Sequence, residues 1–284
     1  MQDVKTATIT SLITLFVLGV MSIFIAPNAQ SDEGLLKVVF LDVGQGDATL
    51  IESPTGTQVL VDGGKDGMVL GALQKELGYF DRDLDMVVAT HPDADHIGGL
   101  IDVLEYFEVD TILITENDND SPVRDSFLEA VEAEGAQVRY ARSGQAYALG
   151  GSTTLSILFP DIDPTSLESN LSSIIAQLKY GEIEYMLTGD SPKSIEEYLV
   201  EKGTELESEV LKVGHHGSKT STAETFVSAV RPLYGIISAG KDNSYGHPHK
   251  EVTDLLENQG VTQKNTADEG SISSFSDGES VWFK

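Results

Sequence analysis

The sequence predicts an α/β fold in which two mixed sheets pack face to face with helices on their outer sides. Three observations predict it. The chain from Leu35 opens with short apolar runs of strand character, the pattern then changes to strands alternating with amphipathic helices, and a second passage of the same style begins near Thr154. With 284 residues, 40% of them apolar, the chain is long enough to bury one sizeable core. No Pro/Gly/Ser-rich linker interrupts it after residue 35, so residues 35–284 are expected to form one domain.

Three strands come first, in LLKVVFLDV, DATLIES and TQVLVDGG, and Pro54-Thr55-Gly56 turns the second antiparallel onto the third. Helical spacing predicts a helix from Met68 to Leu77. A strand follows at Met86 to Ala89. Next comes a helix with Ile97, Leu100, Ile101, Leu104 and Phe107 on one face, then a strand at Thr111 to Thr115. Ser121-Pro122 starts another helix and Gly135 stops it. The second half places strands at Thr154 to Phe159, Ile174 to Tyr180 and Ile183 to Leu187, the last two joined as a hairpin across Gly181-Glu182. A helix from Ser191-Pro192 to Gly203, a strand at Glu209 to Val213, a helix near Ala223 to Val230, a strand at Tyr234 to Ser238 and a helix at Lys250 to Asn258 continue the alternation. SISSFSDGESVWFK closes the chain as a hairpin turning at Asp277-Gly278.

The first 29 residues are of another kind. Ile9 to Ala26 carries no charge over 18 residues, the short end of a bilayer span, and Lys5 before it favours an N-terminus inside. Residues 1–29 are expected to be a signal or membrane anchor and residues 30–34 a tether. The domain is then secreted or held outside the cytoplasm, touching the membrane through residues 9–26 if that segment is retained. A buried helix of the domain is the alternative, disfavoured by the polar stretch at Gln30 to Gly34. The absence of cysteine excludes disulfides, thiolate metal sites and thiol nucleophiles. The 18 Lys and Arg against 46 Asp and Glu, a net charge of -28, exclude a protein that coats nucleic acid generally. Affinity for a polyanion must be local.

All six histidines fall in three clusters, each just after a predicted strand: VVATHPDADHIGG, VLKVGHHGSKTS and IISAGKDNSYGHPH. A further strand end reads MLTGDS. Strand ends are where α/β folds project side chains into a crevice. Within the first cluster, Asp93 or Asp95 can be read simply as the capping acid of the next helix. The metal reading has His91, Asp93, Asp95 and His96 turning about a divalent cation, with Gly98-Gly99 letting the backbone pack closely behind them. The other clusters favour the metal, because a cap needs no partners and a cation does. Asp42, Asp47 and Asp62 each stand near a glycine beside a strand, where a turn aspartate is the ordinary reading.

Together FLDVGQGDATLI, LVDGG, THPDADHIGG, LTGD, LKVGHHGSKTS and NSYGHPH resemble the metallo-β-lactamase superfamily. More closely, they resemble the nuclease-like domain of the ComEC family of bacterial competence DNA-uptake proteins, in order from Phe40 to His249. The resemblance implies the αββα four-layer sandwich and one or two divalent ions, Mn, Mg or Zn. It implies that Asp95 and His96 bind the second metal, that Asp190 bridges the two, that one of His215 and His216 is a later ligand, and that His91 and Asp93 serve the first metal. It also implies that Asp62 holds a ligand histidine by its other ring nitrogen, with Asp47 in a similar part. The sequence departs from the pattern twice: Asp93 replaces the second histidine of HxHxDH, and the histidine usual before Asp190 is missing from ESNLSSIIAQ, which offers Asn170 and Ser172. Both changes harden the site toward manganese or magnesium. The multi-helix channel that accompanies this domain in ComEC has no counterpart in the sequence. The domain is therefore expected to stand alone behind one hydrophobic segment, as a monomer, with a DNA-uptake channel as a separate partner.

A cation with open positions lowers the pKa of water and makes hydrolysis the reaction class. Neither cysteine nor a GxSxG elbow offers a covalent nucleophile. Asp95, Asp190, His216 and His247 are the expected catalytic residues, one of the two aspartates taking the water's proton. Ser218, Lys219, His247 and Asn170 are expected to contact substrate, and His249 to cap the helix after it. Between Val210 and Lys250, five basic residues (Lys212, Lys219, Arg231, Lys241, Lys250) stand against two acids, Glu224 and Asp242, a local strip suited to phosphate. The reading is a metal-dependent phosphodiesterase, which the ComEC resemblance makes a DNase outside the cytoplasm. Its alternatives are hydrolysis of a small or cell-surface phosphoester, and a surface module whose weakened metal site binds without turnover.

Overall fold

The computed structural model describes residues 34–284. The expected hydrophobic segment at residues 9–26, and all of the expected tether but Gly34, lie outside the described residues. Among the described residues no helix is long and apolar enough to cross a membrane.

The chain opens with β1 (Leu36–Phe40), β2 (Thr49–Glu52) and β3 (Gln58–Val61), paired antiparallel in sequence order as expected. Alternation then begins, with α1 (Met68–Leu77), β4 (Asp83–Ala89), α2 (Ala94–Tyr106), β5 (Glu108–Ile114), α3 (Pro122–Glu134) and β6 (Gln137–Tyr140). β3 to β6 run parallel. An antiparallel meander follows: β7 (Ala146–Gly150), β8 (Thr153–Phe159), β9 (Ile175–Tyr180) and β10 (Ile183–Leu187). Alternation resumes with α4 (Lys193–Lys202), β11 (Val210–Lys212), α5 (Glu224–Val230), β12 (Tyr234–Ile237), α6 (Lys250–Asn258) and β13 (Thr262–Asn265), the strands β10 to β13 being parallel. After α7 (Thr266–Glu269), the chain closes with the hairpin β14 (Ile272–Ser276) and β15 (Val281–Phe283).

These strands make two sheets, one of eight in the order β15-β14-β1-β2-β3-β4-β5-β6 and one of seven in the order β13-β12-β11-β10-β9-β8-β7. Val38 and Phe40 of β1 face the second sheet, among Ile157, Leu178 and Tyr185, while their neighbour Val39 packs outward with Leu50, Leu100 and Phe127 under α2 and α3. The second sheet does the same, with Met186 and Leu211 packed outward against Leu199, Phe226 and Val252 of α4, α5 and α6. Both faces of each sheet are thus covered, which is why central strands such as KVVF lack a polar alternate. The result is the expected αββα sandwich.

Three strands escape the hydrophobic pattern: β6, β7 and β13. Each lies at a sheet edge, and their residues QVRY, AYALG and TQKN are mostly exposed or partly so. An edge strand needs backbone pairing on one side and little apolar surface, so its sequence carries little signal. The α3 boundaries follow their local chemistry: Ser121 Oγ accepts from the Arg124 N–H at 3.3 Å, and Gly135 takes a left-handed φ of 75°.

Candidate metal centre

The C-terminal ends of β3, β4, β10 and β11 lead into the loops that carry Asp62, His91, Asp190 and His215-His216. Asp93 occupies the N-cap position of α2, yet its carboxylate makes no capping bond. It accepts from Ser169 Oγ at 2.5 Å instead, and its other oxygen lies 3.7 Å from His91 Nε2. The simple capping reading therefore fails. Gly98 and Gly99 allow α2 to seat against the loop after β3: a Cβ on Gly98 would stand 2.1 Å from the Lys65 carbonyl oxygen, and one on Gly99 2.0 Å from that of Gly63. That approach brings His96 to Asp62. His96 Nδ1 donates to Asp62 Oδ2 at 2.8 Å, and Asp62 also accepts from the Thr90 N–H at 2.8 Å and its hydroxyl at 2.7 Å. The same hydroxyl lies 3.0 Å from His91 Nδ1. One buried carboxylate thereby orients two imidazoles.

On the facing sheet, His215 and His216 adopt left-handed φ values of 50° and 55°. Such backbone costs side-chain-bearing residues about 1–3 kcal/mol each, and it persists only where the surroundings impose it. Here it aims both rings at Asp190. Asp190 Oδ2 lies 3.4 Å from His216 Nε2 and 3.6 Å from His215 Nε2, and its Oδ1 lies 3.2 Å from His96 Nε2. His216 Nε2 is also 3.4 Å from Asp95 Oδ2. Behind it, His216 Nδ1 bonds the Ser238 carbonyl at 2.9 Å and stands 3.2 Å from Asp47 Oδ1. Asp47 is held from the other side by Lys212 Nζ at 2.7 Å.

A divalent cation suits this donor set. Nε2 of His91, His96 and His216, together with Asp190 Oδ1, are buried and have no hydrogen-bond partner, although each ring's opposite nitrogen is engaged. Buried polar atoms are normally paired, so orphans grouped around one carboxylate fit the ligands of a cation. Among the described residues four overlapping sets have ligand atoms within 4.8 Å of one another; His91, His96 and Asp190, and Asp95, His96 and His216, are the two that leave Asp47 and Asp62 to their supporting bonds. The electrostatics agree. Burial disfavours charge on Asp190, but His216 and His96 outweigh it and hold the carboxyl well below the usual range. Burial likewise opposes charge on His96, and Asp190 and Asp62 raise it well above the ordinary value all the same.

The other expected residues sort as follows. His215 is half-exposed and reaches Asp190 from the solvent side, whereas His216 is enclosed and joins the ligand-competent sets. Both nitrogens of His216 face inward, so it offers no hydrogen bond to a substrate. His247 lies with its ring centroid 5.7 Å from that of His215, and burial together with His216 and His215 lowers its pKa to about 4. Ser218 does not face outward as expected: its hydroxyl accepts from the Thr220 N–H and pairs with the Thr220 hydroxyl, closing a turn. Asn170 sits in the turn Ser169–Ser172 with its amide oxygen enclosed and unpartnered, while Ser169, inconspicuous in the sequence, is the residue that bonds Asp93. His249 holds the N-cap position of α6 without a capping bond; its Nδ1 accepts from the Lys219 N–H at 3.2 Å. Asp42 is a turn aspartate, accepting from the Gly44 N–H.

The basic strip needs correction. Lys212 is 3% exposed and paired with Asp47, Arg231 pairs with Glu207, and Lys250 with Asp254. Sequence proximity does not set side-chain direction, and Lys212 points between the layers. Lys219 and Lys241 are left exposed, without an ion pair among the described residues. Lys212, Thr90 and Ser169 are the contributors the sequence concealed, since each is an ordinary residue type beside a conspicuous one.

Comparison with known proteins agrees with this geometry. The chain is 32% identical over 270 residues to ComE operon protein 3 of Bacillus subtilis, covering 88% of this chain and 34% of that protein. It is 33% identical over 240 residues to Recombination protein 2 of Haemophilus influenzae, covering 83% and 28% respectively. The chain thus spans about a third of the length of the curated relatives it matches. Among solved structures, it is similar in fold to CmlA, a diiron beta-hydroxylase from Streptomyces venezuelae, with a TM-score of 0.54 and 14% identity over 81% of this chain and 52% of that one. Residues 41–241 match the family model described as the metallo-beta-lactamase superfamily, and the chain belongs to that superfamily.

Proposed function

We infer that this metal-dependent hydrolase is a phosphodiesterase whose substrate is DNA, acting outside the cytoplasm. The observation that carries the hydrolytic part is the convergence of the unpartnered Nε2 atoms of His91, His96 and His216 on Asp190. A divalent cation held there would supply Lewis acidity and lower the pKa of water toward neutrality. The residues do the rest. Asp62 and Asp47 fix the tautomers of His96 and His216, so that Nε2 of each ring faces the site. Asp190, kept ionised by its two histidines, bridges the halves of the cluster. Asp95, beside His216 and partly open to solvent, is the carboxylate assigned the proton of the attacking water. His247, neutral near pH 7 with its pKa at about 4, is placed to donate a hydrogen bond to a substrate oxygen.

Support for DNA comes from the relatives, one of them named for recombination, and from the exposed Lys219 and Lys241 on the loops that carry His215-His216 and His247. Support for an external location rests on the uncharged segment from Ile9 to Ala26. The test is cleavage of single-stranded and double-stranded DNA by the purified protein with manganese, magnesium or zinc, beside Asp190→Ala and His96→Ala. Cleavage by the parent and its loss in both variants is the expected result. A folded, metal-loaded parent that leaves DNA intact while hydrolysing small phosphodiesters would overturn DNA as the substrate and leave the site chemistry standing.

A further inference from the structure

Tyr245 takes no part in the cluster described above, and it is 64% exposed. An aromatic ring on a surface loop is ordinarily loosely held. This one is presented on a stapled loop. Asn243 Nδ2 donates to the carbonyls of Gly240 at 2.9 Å and His247 at 2.6 Å, and its Oδ1 accepts from the N–H of Tyr245 at 3.2 Å and of His247 at 3.0 Å. Tyr245 lies 21° from parallel to His247, with centroids 5.6 Å apart, and His247 lies 29° from His216 at 6.2 Å. The three rings form a file from solvent to the candidate metal centre. His247 stands behind Tyr245, and the ring's outer surface is left for a ligand.

Exposed lysines stand near the Tyr245 loop in the chain and in the fold. Lys219 is exposed and its N–H is tied to His249, whose ring centroid is 4.9 Å from that of His247; Lys241 is exposed on the Tyr245 loop itself, beside the equally exposed Asp242. A separate cleft beside Asp93 is lined by Asp118, Asp120 and Glu168. A phosphate chain is repelled by that acidic cleft, whereas Lys219 and Lys241 offer it cations without an ion pair among the described residues. An exposed π-face with cations nearby is the kind of arrangement that binds unpaired bases: the ring stacks on the base and the cations track the backbone. A paired base inside a duplex has no free face to offer.

We propose that Tyr245 is a stacking platform for one unpaired base of a single-stranded nucleic acid, with Lys219 and Lys241 holding the adjoining phosphates beside the metal centre. The proposal rests on the nuclease reading above and names the residue that selects the substrate's form. Tyr245 acts as a specificity residue, at a distance from the reacting atoms.

Binding tests it without turnover. With calcium as the sole divalent ion, the affinity of the full chain is measured by fluorescence anisotropy for an end-labelled oligothymidine and for an abasic sugar-phosphate chain of equal length. The parent is expected to prefer oligothymidine. Tyr245→Ala should weaken oligothymidine binding by about tenfold while leaving the abasic chain unchanged, and Tyr245→Phe, which keeps the ring, should match the parent. Lys219→Ala with Lys241→Ala should weaken both ligands alike. Equal binding of the two ligands by the parent, no binding of either, or an equal loss of both in Tyr245→Ala would each overturn the proposal. Base-dependent binding that persists in a parent unable to cleave any nucleic acid would support the platform and count against the nuclease reading alone.

Discussion

Lys212 Nζ donates to Asp47 Oδ2 at 2.7 Å with both side chains buried, and the other oxygen of Asp47 stands 3.2 Å from His216 Nδ1. Burial opposes the charge on Asp47, but Lys212 and His216 hold its carboxyl below the usual range. Removing one partner of such a pair strands the other charge, at a cost of about 3–5 kcal/mol. Lys212→Met is expected to show that loss in urea unfolding. Lys212→Met combined with Asp47→Leu should recover part of it, because no unpaired charge remains. Additive losses in the double variant would refute the coupling.

Asp62 accepts from His96 and from both the N–H and hydroxyl of Thr90. Asp62→Ala leaves every candidate ligand in place and frees two rings to turn. Affinity for manganese or zinc, read by calorimetric titration, should fall by about 10–100-fold. Unchanged affinity would mean that the rings are oriented by packing alone.

Metal uptake should depend on pH. In the metal-free protein, burial opposes the charge on His96 and His216, yet Asp190 with Asp62, and Asp190 with Asp47, raise both well above the ordinary histidine value. Both rings are thereby biased toward their protonated forms, and a cation must displace the added proton. Apparent affinity should be weakest in acid and grow as pH rises toward those raised values. Titration heats in two buffers of different ionisation enthalpy report the proton release, and buffer-independent heats would contradict it.

Glu196 is 1% exposed and accepts from the N–H of Thr222 at 2.9 Å and of Ala223 at 2.6 Å, so it pins the loop that follows His215-His216. Burial pushes its carboxyl from 4.5 up to about 7, against the downward pull of those two bonds and Lys193. A carboxyl raised on folding has no effect below its unfolded value. It then subtracts stability as pH rises from about 4.5 to about 7, beyond which the loss is constant. Glu196→Gln should flatten that slope, while losing one bond because an amide has a single acceptor oxygen. Thermal midpoints at about pH 5 and about pH 8 for both proteins check this, and parallel shifts would exclude Glu196 as the source.

Much of the site was legible because its chemistry demands rare residue types at strand ends. Six histidines in three clusters, with Asp190 after a fourth strand, form a grouping that histidines scattered through a core would not produce. What stayed hidden was the support. Thr90, Ser169 and Lys212 are common residues whose roles depend on which way they point, and a lysine two positions before a glycine-histidine pair reads as surface charge until the packing encloses it.

Local pattern established the central strands, the main helices and the Ser121 cap, because burial on two faces writes continuous apolar runs and burial on one face writes a helical stripe, while the four-layer class came with the family resemblance. Pairing across the chain was beyond it. The closing hairpin leaves the second half and joins β1, with Leu36 opposite Ser276, and the edge strands β6, β7 and β13 form on backbone bonds their side chains do not announce. Tertiary structure also decided which histidine faces which carboxylate. Hydrophobic periodicity is a local property, whereas sheet order, ring orientation and the direction of a buried lysine arise only when distant segments compete for the same space.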